Sequence, residues 1–139
     1  MAPRGFEILE HPADIGFRAF GDSLPDLFGN SALALLSIGA DLSGVDAREE
    51  YRLAAASPDL DSLMVDWLGE VLYWFDGKRI VFREFQIDLA DTSLQAVARG
   101  EPRDPARHDA RLIVKAVTYH QLKIYRRADL WVAEVYLDI

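Results

Sequence analysis

An apolar stripe with helical spacing runs through the middle of the chain: Leu60, Leu63, Met64, Trp67, Leu68, Val71, Leu72 and Phe75. Steps of three and four residues keep these side chains on one side of an α-helix. A strand cannot do so, because its side chains alternate with period two. A helix with so apolar a face has to be covered, and the rest of the chain must supply the layer that covers it. Ser57 as N-cap, Pro58 in the first position and Asp76-Gly77 as the stop frame this helix. A second helix is expected to open at Ser23-Leu24-Pro25-Asp26, with Ser23 as cap, Pro25 in the first turn and Asp26 at the positive end of the dipole. Leu24, Leu27, Phe28, Leu35 and Leu36 follow the same spacing around the small Ala32, and Gly39 ends it.

The remaining apolar residues alternate. Phe6 to Glu10 and Ile15 to Phe20 read as short strands around the turn His11-Pro12-Ala13-Asp14. A strand is expected from Val45 to Ala56. Ile80 and Phe82 alternate on one phase, then Phe85, Ile87 and Leu89 on the other, which predicts a bulge near Arg83-Glu84. Leu94, Ala96 and Ala98 form the next strand. Residues 112–124, rich in β-branched and aromatic side chains, read as another. Trp131, Ala133, Val135 and Leu137 share one face of the last. Helices that do not follow every strand point to an α+β fold, a mostly antiparallel sheet with two helices packed on it. Two prolines and a run of charges make residues 100–109 a solvated loop, with His108 exposed in it.

With 139 residues, no repeat and no break in composition, the chain is expected to form one domain over 1–139. The absence of cysteine excludes disulfides, a thiolate nucleophile and Cys-ligated metal clusters. No stretch approaches the roughly 20 apolar residues of a membrane span, and the first residues lack a signal-type apolar run. A non-membrane protein of the cytoplasm is expected. The net charge of −8 disfavours direct binding to a phosphate backbone and favours a basic protein partner.

No serine lies in a Gly-x-Ser-x-Gly elbow and no Gly-rich phosphate loop is present. Of three histidines, His11 lies in the N-terminal turn and His120 in Lys115-Ala116-Val117-Thr118-Tyr119-His120. Asp14 either bonds its own backbone in a turn or belongs to a site. Asp138 is followed at once by Ile139, whose α-carboxylate is a second negative group. Either the two form the solvated end of an edge strand, or a hard cation with oxygen ligands lies between them. Lys115 stands within an apolar run and by alternation shares a face with Ile113, Val117 and Tyr119. Trp67, Trp74 and Trp131 lie on helix or strand patterns and read as core. Arg103, Arg107, Arg111, Lys123, Arg126 and Arg127 read as a solvated face rather than an RNA platform.

Taken in order, these segments resemble the archease family over nearly the whole chain. The resemblance rests on His11-Pro12-Ala13-Asp14, on residues 21–28 leading into the first helix, and on residues 63–73 of the second. Gly100-Glu101 before a loop with a histidine, the run from Lys115 to His120 and the closing Leu137-Asp138-Ile139 complete it. Pro12, where Thr is frequent, and the loop 103–107 depart from the pattern. The resemblance implies an accessory protein rather than an enzyme. Its partner would be an RtcB-type RNA ligase that joins RNA ends using GTP and manganese, and its effect would be to promote guanylylation and repeated turnover. A tRNA methyltransferase is the related alternative partner, and RNA would be met only indirectly. The resemblance further implies a divalent cation, Ca²⁺ first with Mg²⁺ or Mn²⁺ as alternatives, held by Asp14, Asp138 and the α-carboxylate of Ile139. Lys115, His11 and His120 would be functional contacts. Two other classes remain as alternatives at this point: a small metal-dependent hydrolase using Asp14, Asp138 and a histidine, and an RNA adaptor.

Overall fold

The computed structural model describes residues 5–10 and 14–139. The chain order is β1 (Phe6–Glu10), β2 (Ile15–Gly21), α1 (Leu24–Gly39), β3 (Glu49–Ala56), α2 (Leu60–Asp76), β4 (Ile80–Ala90), β5 (Ser93–Pro102), β6 (Ala116–Val117), β7 (Lys123–Arg127) and β8 (Leu130–Asp138). A 3-10 turn, Leu42–Gly44, precedes β3. All strand pairs are antiparallel. One sheet runs β1-β2-β8-β6, with β7 also paired to β8; the other runs β3-β5-β4. The fold is α+β, as its element pattern implies. The helices lie between the two sheets: α1 packs on β2 of one and β4 of the other, and α2 touches β3, β4, β6 and β7.

That layering explains the composition of α1. Leu27, Phe28, Ala32, Ala34, Leu35 and Leu36 are all buried, because a helix between two sheets meets apolar surface on opposite sides. Ser23 caps it by accepting from the Asp26 N–H. In α2 the stripe residues Leu63, Met64, Trp67, Leu68 and Val71 have no exposed surface. Each large side chain buried in this way contributes about 2–3 kcal/mol of transfer free energy. Trp67 also donates its indole N–H to the Phe28 carbonyl at 2.9 Å, which satisfies the polar atom of a buried ring and ties the helices together.

The register of β4 on β5 shifts between Phe82 and Glu84, so the change of phase in the sequence is a bulge. Gly100 lies opposite it, where a Cβ would run into the Val81 carbonyl.

Four expectations need correction. The N-cap of α2 is Asp59, which accepts from the Ser62 N–H at 2.8 Å. The Ser57 hydroxyl instead bonds the Asp66 carboxylate, so Pro58 precedes the cap. The strand expected from Val45 starts only at Glu49, because the Asp46 N–H is given to the Glu101 carboxylate rather than to a ladder. Residues 112–124 are mostly not strand. Ala116 and Val117 pair with β8, as do Lys123 and Ile124 at the start of β7, and a turn at 119–122, with Gln121 at φ 53°, separates the two. β-propensity expresses itself only where a neighbouring strand is available, and this segment first runs along the end of α1, where the Leu112 N–H bonds Ile38. The fourth concerns the loop 100–109 and is taken up with the site.

Candidate functional site

β8 is interior to its sheet, not an edge strand. It pairs with β2 along one side and with β6 and β7 along the other. Its end is therefore tied down: the Lys115 N–H donates to the Asp138 carbonyl at 2.8 Å, and Ala116 is the register partner of Asp138. On the other side Ile15 is paired with Leu137, so Asp14 and Asp138 each adjoin the last pair of that ladder. The Oδ1 of Asp14 is buried and has no hydrogen-bond donor among the described residues. The turn bond to its own backbone is therefore not made by that oxygen. A buried acceptor of this kind costs about 1–3 kcal/mol, and more when charged. Asp138 and Ile139 remain exposed beside it. The strand end thus gathers oxygen donors from both ends of the chain, and a hard divalent cation fits that donor set better than a softer metal. Among the described residues no three His, Asp or Glu side chains group closely enough to share an ion.

The surroundings of this end are built by close packing. Gly16 is the register partner of Tyr136, and a Cβ there would lie 2.7 Å from the Tyr136 ring. The absence of a side chain lets the ring cover β2 two residues from Asp14. Sequence reading missed Tyr136; its one signal is a glycine placed within an apolar strand. His120 is exposed on the 119–122 turn, with its ring 6.3 Å from that of Tyr136. Lys115 is exposed too, and with Ala116 and Val117 it borders a groove formed by Ala54, Ala55 and Ala56 of β3 and by α2. His11 lies outside the described residues.

A second polar centre was not legible in the sequence. The Glu101 side chain has no exposed surface. It accepts from the Asp46 N–H at 2.8 Å and from two nitrogens of Arg107 at 3.0 and 2.7 Å, and Arg48 stands 3.3 Å away. His108 is buried, not exposed. Its Nδ1 accepts from the Asp104 N–H at 2.9 Å, so the proton sits on Nε2, which donates to Glu101 at 2.9 Å. The Asp46 N–H, followed by Arg107 and His108, outweighs burial and holds the Glu101 carboxyl at a pKa of about 2. With every partner satisfied internally, this centre fastens the loop 103–109 rather than reacting. Arg103 supports the same loop: its guanidinium lies 3.9 Å over the Phe75 ring and donates to the Phe75 carbonyl. Arg111 reaches Ser37 and Asp41. Three cations of the suspected RNA face are thereby engaged within the chain. Trp67 is core as expected, while Trp74 and Trp131 are half-buried, under Lys78 and Arg126 respectively.

Comparison with known proteins agrees with this architecture. The solution structure of Methanobacterium thermoautotrophicum protein 1598 superposes with a TM-score of 0.82 at 40% identity, covering 97% of this chain and 99% of that one. The crystal structure of an archease from Thermotoga maritima, described as a possible chaperone, shares the fold with a TM-score of 0.68 at 23% identity over 94% of each chain. The archease of Methanosarcina acetivorans is 42% identical, over 96% of this chain and 95% of its own length, and that of Pyrococcus furiosus is 36% identical over 98% and 99%. The model of the archease protein family matches residues 6–139. A two-sheet fold shared over its full length and identities above a third leave one assignment: the chain belongs to the archease family.

Proposed function

We propose that this archease is a non-catalytic accessory factor of an RtcB-type RNA ligase, raising its guanylylation and turnover through the strand end that carries Asp14 and Asp138. The observation that carries the reading is the buried Oδ1 of Asp14, without a donor among the described residues, next to the Ile15–Leu137 pair that Asp138 also adjoins. Asp14, Asp138 and the Ile139 α-carboxylate would hold a divalent cation, Ca²⁺ in preference to Mg²⁺ or Mn²⁺. The cation supplies the positive charge that lets three anionic groups sit together. The chain's own residues do the rest. β2 and β8 are paired up to Ile15 and Leu137, the neighbours of the two carboxylates, Tyr136 on Gly16 covers the strands beside them, and the Lys115 N–H fixes the last peptide of β8. A net charge of −8 suits approach to a basic cleft of the kind that holds RNA.

The test is ligation of excess RNA by the cognate ligase with GTP and manganese, with and without this protein. Asp14→Asn and Asp138→Ala run in parallel, and thermal melting is followed as Ca²⁺ is added. Acceleration by the wild type, lost in both variants, is expected. A melting temperature that rises with Ca²⁺ only in the wild type is expected as well. No acceleration by the wild type overturns the ligase reading. Acceleration that survives both substitutions overturns the cation-holding strand end.

A further inference from the structure

A sheet edge whose backbone groups face no neighbour is a template for pairing with another chain. β4 is such an edge. It pairs with β5 on one side and, among the described residues, with no strand on the other. Outside that ladder no backbone hydrogen bond among the described residues reaches residues 83–90. The strand runs in unbroken register from Glu84 to Ala90, beyond the bulge. Phe85, Ile87 and Leu89 face the core yet are only half-buried, while Glu84, Gln86 and Asp88 stand exposed on the opposite face. Beside the edge, Gly29 and Leu33 of α1 line a groove with Phe85 and Ile87. One more strand would cover these apolar side chains. The other edge of the sheet, β3, has less to gain, because Leu53 is already buried and residues 54–56 are alanines.

The sequence of β4 is complementary to itself in one register. In a continuous antiparallel sheet, residues directly opposite share a face, so a two-fold axis normal to the sheet passes through a single residue of each copy. An axis at Gln86 sets Glu84 against Asp88, and an axis at Asp88 sets that carboxylate against its own copy. Like charges directly opposite are destabilising. An axis at Phe85 draws Arg83 of the bulge into the ladder, and one at Leu89 draws in Asp91, a turn residue at φ 57°. The axis at Ile87 avoids all of these conflicts. It sets Ile87 against itself, Phe85 against Leu89, Gln86 against Asp88 and Glu84 against Ala90. The Gln86 amide is then placed to donate to the Asp88 carboxylate. Just beyond, Arg83 and Asp91, both exposed, bring opposite charges to each end.

We propose that this protein forms a two-fold dimer through β4, joining the two three-stranded sheets into one of six strands centred on Ile87. Seven residues at about 3.3 Å each make a contact about 23 Å long. An interface of that size is reversible rather than obligate. Each copy carries −8, so the dimer tightens as salt screens the repulsion between copies. The dimer does not rest on the ligase reading. The groove follows the first half of α1, which starts at the Gly21 end of β2, whereas Asp14 precedes the other end.

The test is sedimentation equilibrium of the full chain from about 1 µM to about 1 mM. The wild type is expected to pass from monomer to dimer across that range. Gln86→Glu sets two pairs of carboxylates across the axis and is expected to weaken the dimer about tenfold or more. Adding Asp88→Lys turns both pairs into opposite charges and is expected to restore it. Ala54→Glu adds the same charge to β3 and is expected to leave association within about twofold. All three positions are exposed, so folding is not at stake. In hydrogen exchange, amides within 84–90 are expected to gain protection as concentration rises, and those of β3 are not. A wild type that stays monomeric throughout overturns the proposal, as does a dimer that Gln86→Glu leaves intact. Equal weakening by Ala54→Glu assigns the effect to net charge or to β3 and overturns it too. Failure of Asp88→Lys to restore the dimer overturns the Ile87 register on which the proposal stands.

Discussion

Glu101 shows how much one residue can organise. Its carboxylate gathers the Asp46 N–H from before β3, Arg107 and His108 from the loop after β5, and Arg48. The cover over it is thin, because Arg48 and Arg107 are themselves 60% and 41% exposed. Replacing Glu101 with alanine leaves the Asp46 N–H and the His108 Nε2–H without an acceptor, while the arginines turn to water. A loss of about 2–3 kcal/mol in urea unfolding is expected. The pH dependence follows from the direction of the shift. The folded pKa of about 2 lies below the ordinary carboxylate value, so the stabilisation is complete above about pH 4.5 and fades as pH falls toward 2. The stability difference between wild type and Glu101→Gln should therefore shrink across that window. A difference that stays constant down to pH 2 would show that Glu101 is not the titrating group.

At the scale of elements, α2 depends on how its first turn is satisfied. Asp59, not Ser57, accepts from the N–H of Ser62, and that hydrogen bond lowers the Asp59 pKa. Asp59→Ala should lower the melting temperature by a few degrees, and Ser57→Ala by less, in a thermal scan at neutral pH. The reverse order would return the cap to Ser57. The same helix shows what the sequence makes legible. Its stripe from Leu60 to Phe75 is a local, periodic signal, and so is the phase change that marks the bulge in β4. What escaped reading depends on partners distant in the chain. Ser57 and Asp59 are equally good caps until Asp66 takes the Ser57 hydroxyl. His108 in a charged loop looks solvated until Glu101 is placed under it. For Asp14 and Asp138, sequence chemistry left a turn and a frayed end as alternatives. That both adjoin the end of one ladder appears only once β2 and β8 are paired. Nothing in local composition announces that the helices lie between two sheets, because a helix buried on both sides and one buried on a single side differ only in the width of the apolar face.

For the whole molecule, charge and apolar contact should govern different parts of association. The net charge of −8 makes a long-range field, which steers a basic partner during approach and is screened over about 10 Å at 0.1 M salt. Exposed apolar side chains such as Ile113 and Tyr119 could act only at contact range, after approach is complete. Charges at the rim of an interface chiefly change the association rate, whereas well-packed anchors chiefly change the dissociation rate. In stopped-flow mixing with the ligase proposed above as its partner, raising salt from about 0.05 to 0.5 M should slow association roughly tenfold and leave dissociation within about twofold. If salt alters dissociation alone, the field is not steering the encounter, and the charged groups act as contacts within the bound interface. If neither rate responds to salt, the acidic surface serves solubility, and the partner's cleft is selected by shape and apolar contact.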